Sequence, residues 1–453
     1  MCDVVRDMDV DPRDQRIAEL EAENLLLKKK LAEAVARIEE IEKAVHRQAG
    51  PFRREEKKKV PPQDRKRPGR KPGHEGFFRQ APEKIDHEID VPLDCCPVCG
   101  GSLSDVHTLE QIIEEIEPVR PVAVKLTTRR GHCCGCKKQV RSTHPLQSSD
   151  AGGCAKVQLG PRALALAALL NKACGLTMRK TVRVIEQLCG LKITAGGLSQ
   201  MMDRLARRLN GDYEQLLATL RRQPAVYADE TSWWVGGPGH WLWTFTSPAM
   251  TVYRVENNRG SDVVIQTLGE NFDGILVSDC LASYNRIDCR KHKCIAHHLR
   301  AIESAQPSPD NPSEYLNRWK QLFKTATLLW KVRDEISEID WQQARSNLEK
   351  DKDELLDHAG PSPGDARIRN RLIKHRDHLL RHMEDPRAEP TNNRAERSLR
   401  PAVIARKLSC GNKTQSGKTT WQVLSSIAAT CHQRGEDLVQ FIAARLALPA
   451  VDG

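Results

Sequence analysis

Apolar residues recur in alternating steps of three and four near the start of the chain: Ile17, Leu20, Leu27, Leu31, Ala34, Ile38, Ile41 and Val45, with Asn24 in step. This spacing predicts a coiled coil over residues 14–48, with Ile17, Asn24, Leu31, Ile38 and Val45 at a, and Leu20, Leu27, Ala34 and Ile41 at d. A single Asn at a suits a parallel homodimer, in which two Asn side chains pair and fix the register. Glu23 facing Lys28, and Arg37 facing Glu42, fit the same seam. The alternative is a long amphipathic helix docked on its own domain. Residues 155–222 are patterned as helices. LGPRALALAALLNKACGL has Pro161 in its first turn and stops near Gly175; TMRKTVRVIEQLCGL stops at Gly190; a third helix starts near Thr194. Two helices split by a short Gly-containing turn fit a helix-turn-helix with Arg179, Lys180, Arg183 and Lys192 on its basic face, and fit a plain helical bundle equally well. From 224 the period shortens to strands, AVYADET, HWLWTFTS and MTVYRVE, an antiparallel meander. A helix near 261–269 and the strand GILVSD follow. Residues 300–389 are charged and helical, and a further helix opens at Thr391-Asn392-Asn393, residues suited to capping.

Composition adds to this pattern. The chain has 453 residues, room for two or three domains, and a formal net charge of +11, which favours a polyanionic partner. No apolar run is long enough for a transmembrane helix, and the acidic N-terminus does not resemble a signal peptide, so a cytoplasmic, nucleoid-associated protein with no membrane partner is expected. The segment 49–80 is a Pro-, Gly- and charge-rich linker. It is either a solvated tether or an arm that carries Arg67, Arg70 and Lys71 into a DNA minor groove. Fifteen Cys in such a chain point to metal ligands or buried thiols. Two CxxC knuckles in residues 81–150, Cys96–Cys99 and Cys133–Cys136, flank the strand-like stretch RPVAVKLTTRRGH. Four thiolates fit a structural tetrahedral Zn²⁺ in a zinc-ribbon-like module; Cys95 and Cys134 leave the ligand choice open by one position. Buried reduced cysteines are the alternative.

Three acids sit where phosphodiester chemistry would need them. Asp229 ends the first strand, Asp279 ends the fourth, and Glu396 lies in the first turns of the helix opened at Thr391. Clustered carboxylates repel one another, and a pair of Mg²⁺ (or Mn²⁺) ions about 3.5–4 Å apart relieves that repulsion and suits phosphodiester displacement. Acids at strand ends are common on protein surfaces, so position alone is weak evidence. Cys294-Ile-Ala-His297 and Cys289-Arg-Lys-His292 are each a metal half-site or local packing, and Trp241 and Trp243 share one sheet face. No Walker motif is present.

The segments ADETSWWV, LVSDCLASY, TNNRAERSLRP and ARKLSCGNKTQSG resemble the transposase of the insertion sequence 66 family of bacterial mobile elements. The PGRKPGH linker, the CPVCGG knuckle and the LGPRALALAALL and GLTMRKTV helices extend that resemblance over nearly the whole chain. It implies an RNase H-like catalytic core interrupted by a helical insertion between the second and third acids. The interval from Asp279 to Glu396, more than twice that from Asp229 to Asp279, agrees. It implies that Asp229, Asp279 and Glu396 are catalytic and hold the metals. It also implies that water attacks a phosphodiester at an element end and that the freed 3′-hydroxyl attacks target DNA directly. Arg397, Arg400 and Lys407, farther along the Glu396 helix, would contact phosphates. The expected architecture is multidomain α+β/α/β. Its parts are a coiled coil (14–48), a basic linker (49–80), the zinc-ribbon-like module (81–150) and a helical DNA-binding region (155–222). The catalytic core follows at 223–299 and 390–415, with a helical insertion at 300–389 and a C-terminal helical element at 416–453. Its partners would be double-stranded DNA, a second copy through the coiled coil, and accessory proteins encoded by the element. A non-catalytic DNA-binding regulator and an RNase H-like nuclease that cuts without joining are the rival functions.

Overall fold

A computed structural model of the chain describes residue 75 and residues 79–147, 157–307, 312–358 and 360–447. The expected coiled coil, with Arg67, Arg70 and Lys71 of the linker, lies outside the described residues. The chain divides into two units, Met1–Glu114 and Glu115–Gly453.

In the first unit the described residues form one tight turn, the Cys96 knuckle. Gly100 N donates to Cys96 O and Cys96 N donates to Gly101 O. Gly100 has φ +73°, a left-handed conformation that glycine adopts without cost. In the second unit, β1 (Arg130–His132) and β2 (Gln139–Arg141) form a short antiparallel hairpin around the Cys133 knuckle. That knuckle repeats the same bonds: Lys137 N donates to Cys133 O, and Cys133 N donates to Lys138 O. Here a lysine takes the left-handed position, at φ +54°. The strand expected between the knuckles is confined to Arg130–His132. Val122 is 88% exposed and residues 119–126 pair with nothing among the described residues. Alternation predicts a strand only where a partner covers one face, and none does here.

Four helices follow: α1 (Pro161–Ala168), which continues as a wider turn to Ala173, α2 (Met178–Cys189), α3 (Ala195–Arg208) and α4 (Asn210–Leu220). Their limits are written in the sequence. Thr177 and Thr194 cap α2 and α3 by accepting from Lys180 N and Gly197 N, and Gly190 ends α2 at φ +64°. Leu164, Leu198, Met202, Leu205 and Leu217 of these helices share one core with the sheet residues Val226, Ala228, Phe245 and Leu276.

The sheet has five strands in the order β5-β4-β3-β6-β7. The strands β3 (Ala225–Trp233), β4 (His240–Thr246) and β5 (Thr251–Glu256) form the antiparallel meander. After α5 (Ser261–Leu268), β6 (Ile275–Ser278) runs parallel to β3, and β7 (Arg290–Lys293) runs parallel to β6. Beyond α6 (Ile295–Ala305), the helices α7 (Glu314–Lys331), α8 (Glu338–Asp357) and α9 (Pro363–Ile373) build a core of their own from Trp319, Phe323, Trp341, Leu355 and Leu372. Ser313, Ser337 and Ser362 cap α7, α8 and α9.

The chain then returns to the sheet as α10 (Asn393–Ser409), α11 (Gln415–Arg434) and α12 (Leu438–Ala447). Leu399 and Ala402 of α10 cover Leu242, Tyr253 and Val255 on the sheet face away from α1 and α3. The helix α11 closes the edge strand β5 with side chains. Thr251 N donates to Thr430 Oγ1, Tyr253 N to Ser426 Oγ and Val255 N to Gln422 Oε1, at 2.9–3.2 Å. Every fourth helix residue meets every second strand residue because four helical rises, about 6 Å, nearly match two strand rises, about 6.8 Å. An edge that would otherwise offer free N–H groups is thereby covered.

Candidate active site

The register of β3 and β6 sets the site. Ala225, Val226 and Tyr227 pair in parallel with Ile275, Leu276 and Val277. Two residues farther along both strands, the register places Asp229 level with Asp279. The expectation that Asp229 ends its strand is corrected: β3 continues to Trp233, paired with β4 throughout. What ends near Asp229 is its neighbour β6, so the backbone at Asp229 loses its pairing strand on one side and keeps an intact ladder on the other. Asp279 is the first residue after β6, and its Oδ1 accepts from Leu281 N at 2.9 Å.

Glu396 comes from the first turn of α10. The capping expected of Asn392 is also corrected. Its side chain does not cap α10; fully buried, it donates through Nδ2 to Ala228 O at 2.8 Å, one residue before Asp229. Its backbone N donates to Cys294 Sγ at 3.1 Å. At the far end of α10, Asn412 N donates to Trp234 O and Gly236 N donates to Asn412 O. Gly411 permits that contact: at φ +97°, a Cβ there would lie 2.5 Å from Trp234 O. With Arg406 donating to Thr231 Oγ1, the helix is fastened along β3 at both ends, which fixes Glu396 relative to Asp229.

Asp279 and Glu396 both act on Asp229. Burial first, then Glu230, Asp279 and Glu396, push the Asp229 carboxyl well above the usual carboxylate range. Glu396 Oε1 accepts from Arg300 of α6 at 3.0 Å. Among the described residues no group of three or more His, Cys, Asp or Glu is drawn into a metal-holding cluster.

Sequence reasoning missed Glu230 and Lys293 around these acids, and left His292 open between a metal half-site and local packing. Glu230 is buried, accepts from Arg259 Nε at 3.1 Å and from the Tyr284 hydroxyl, and Arg259 lies over the Trp241 ring at 4.5 Å. Burial and Asp279 raise the Glu230 carboxyl, while Tyr284 and Arg259 hold it down. Its place in ADETSWWV was visible, but not that it turns to the opposite face from Asp229. Lys293 is fully buried and donates to Ser278 Oγ at 3.1 Å and to Asp279 O at 2.9 Å, behind the acid pair; burial pushes its ammonium down to about 8. His292 is buried with its ring nitrogens 3.1 Å from His378 O and Pro390 O, and burial pushes it down to about 4.

The other candidates fall as follows. Cys294 packs against the start of α10, and His297 stands close enough to Asp279 and Glu396 for both to act on it, although burial and Arg300 lower it overall. Arg397, Arg400 and Lys407 are exposed along α10. Arg179, Lys180, Arg183 and Lys192 are exposed on α2 and the turn after it. In the knuckles, backbone N–H groups of Val98 and Cys99 lower the Cys96 thiol, and those of Cys136 and Gly135, with the Cys136 side chain between them in weight, lower Cys133. Trp243 is fully buried, in keeping with core packing, whereas Trp241 is half-buried under Arg259.

A mixed five-stranded sheet that gathers carboxylates from three separate segments defines an α+β protein with an acidic site at the sheet's parallel half. The chain belongs to the insertion sequence 66 transposase family: the family model described as "Transposase IS66 family" matches residues 156–420, a span that contains all three acids. The chain is 26% identical over 423 residues to "Uncharacterized protein y4qI" of Sinorhizobium fredii (strain NBRC 101917 / NGR234), covering 84% of this chain and 75% of that protein. It is 24% identical over 410 residues to "Uncharacterized protein y4jD" of the same strain, covering 81% and 77%. Family membership carries DNA as a partner and, in general, a divalent metal as cofactor. Among the described residues no helix is long and apolar enough to cross a membrane.

Proposed function

We propose that this chain is a DNA transposase whose RNase H-like core cleaves phosphodiesters at element ends and joins the freed 3′-hydroxyl to target DNA. Asp229, Asp279 and Glu396 are its catalytic residues. The observation that carries this reading is the register of β3 and β6. It sets Asp229 beside Asp279 on the face covered by α10, the helix that bears Glu396. The strand order, three antiparallel strands continued by two parallel ones, supports the RNase H-like assignment, and α7–α9 stand where a helical insertion would.

The donor set fits a hard divalent ion. It is all oxygen, and the crowding that raises Asp229 is the repulsion such an ion relieves. Asp229 and Asp279 would hold Mg²⁺ or Mn²⁺, with Glu396 joining once released from Arg300. When bound, the metal would supply charge neutralisation and Lewis acidity at the phosphodiester. Asn392 and Gly411 keep α10 in register, and Lys293 anchors the Asp279 backbone. Arg397, Arg400 and Lys407, with Arg67, Arg70 and Lys71 of the linker, bind phosphates. Cys96 with Cys99, and Cys133 with Cys136, are each a thiolate pair suited to structural Zn²⁺; the matching turns support ligation, since each aims backbone N–H groups at its first cysteine. The coiled coil joins two copies.

Cleavage and strand transfer on DNA carrying the element ends, with Mg²⁺, Mn²⁺ or EDTA, test the reading in wild type and Glu396→Ala. Metal-dependent products that vanish in the variant while DNA binding persists are expected. Binding without cleavage in either protein, with native ends and accessory proteins supplied, would assign the chain as a regulator. Cleavage without joining would assign it as a nuclease.

A further inference from the structure

The helices between β7 and α10 mostly neutralise their own basic side chains. Arg318 pairs with Glu354, Arg333 with Glu338, Arg345 with Glu384 and Arg376 with Asp353. One face of α9 gathers three cations that are not neutralised in this way. Arg367, Asn370, Arg371 and Lys374 follow one another at helical spacing, so they share a face. Among the described residues none of the three cations there meets a carboxylate. Arg367 reaches only the Ser304 carbonyl, at 3.5 Å, and the Arg371 Nε is buried with no partner. These four side chains, with His375 and Cys280, line a cavity of about 560 Å³. Cys280 is the residue after Asp279, and the Arg371 guanidinium acts on it and on His297 and His298. The cationic wall therefore stands directly beside the acid site.

Cations gathered on one face with no carboxylate among the described residues repel one another. A cavity with three cations, an amide and no carboxylate is built for an anion, and the forked Arg guanidinium matches a phosphate oxygen pair. Arg367, Asn370 and Lys374 are exposed, so the cavity is open and suits a chain passing across it better than an enclosed small molecule.

We propose that Arg367, Arg371 and Lys374 form a phosphate clamp that binds the DNA backbone beside Asp279. The clamp rests on the transposase reading and assigns to the helical insertion a direct hold on the substrate. It also accounts for the opposite charge of the two neighbouring walls, with acids at the sheet and cations on α9.

The test measures binding of the full chain to a labelled 40-base-pair duplex by fluorescence anisotropy, in buffer without added Mg²⁺ or Mn²⁺ and without chelator, across a range of NaCl concentrations. Removing one cation from a phosphate lowers the slope of log affinity against log salt by about one. Arg367→Gln with Lys374→Gln, both at exposed positions, should lower the slope by about two, and adding Arg371→Gln by about three. Arg371→Lys should restore most of the last unit, which a purely structural role for Arg371 would not produce. A double variant that unfolds at the wild-type midpoint and keeps the wild-type slope overturns the clamp. Wild type that cleaves element ends beside such a variant would leave the transposase reading standing, whereas wild type that binds no DNA would remove both.

Discussion

Asn392→Ala probes how the third acid is positioned. The Asn392 side chain is fully buried and donates to Ala228 O at 2.8 Å, just past the last paired rung of β3 and β6. Alanine removes the donor to a buried carbonyl, at a cost of about 1–3 kcal/mol, but it also removes Asn392 Oδ1, a buried acceptor with no partner, which offsets part of that cost. A net cost of about 1 kcal/mol is about a fivefold change in the folding equilibrium. With a urea m-value of about 3 kcal/mol/M, the midpoint should fall by about 0.3 M. Asn392→Asp sharpens the test, because at neutral pH it sets a carboxylate oxygen against the Ala228 carbonyl. Its folded pKa must rise above the unfolded value of about 3.9, so the penalty is absent below that pH and grows as pH rises through it. The Asp variant should therefore be closer to wild type at pH 4.5 than at pH 8. Glu396 N donates to Asn392 O, so loosening Asn392 also frees the first turn of α10. Turnover in metal-dependent cleavage should drop at least about tenfold, with KM for DNA changed less than about threefold. An alanine variant that unfolds at the wild-type midpoint, or that unfolds early yet cleaves at the wild-type rate, would refute the positioning role.

Three further outcomes are expected. His292 is held at about 4 against about 6.5 unfolded, so the unfolded state binds the extra proton: its share of stability is complete above about 6.5 and is lost as pH falls toward 4, by about 3 kcal/mol. Urea titrations of His292→Asn should show a shallower acid decline than wild type, and parallel declines would contradict this. Arg300→Gln releases Glu396 from a pair that is largely exposed and worth at most about 1 kcal/mol, so Mn²⁺ affinity read by paramagnetic resonance should rise about two- to fivefold; an unchanged or weaker affinity would count against competition between Arg300 and the metal. Elemental analysis should find zinc in wild type and much less in both Cys96→Ser and Cys133→Ser, while equal zinc in all three would remove the knuckles as ligands.

The elements that were legible in the sequence are those whose signals are local. Thr177, Gly190 and Thr194 bound their helices by capping and by a left-handed glycine, and the meander from 225 to 256 announced itself by strand-like runs. The strand β7 was illegible: Arg-Lys-His-Lys contains no apolar residue, yet its last three residues are buried. It is a strand because β6 offers it a parallel ladder, and its charges are tolerated because Lys293 and His292 find backbone oxygens. The acids themselves stood out as Asp and Glu at suggestive places, but their relation did not. That Asp229 lies mid-strand beside the end of β6 follows from register between segments fifty residues apart, which no local pattern encodes. The same holds for Asn392, whose sequence neighbourhood signals a helix cap and whose side chain instead holds a strand. An N-cap residue is chosen for satisfying a helix N–H; here the buried carbonyl of Ala228 is the more costly group to leave unpaired, and the side chain goes to it. Placement of Glu396 is thus decided by a hydrogen bond between two chain segments, and the chemistry at Asp229 depends on a residue that contributes no charge.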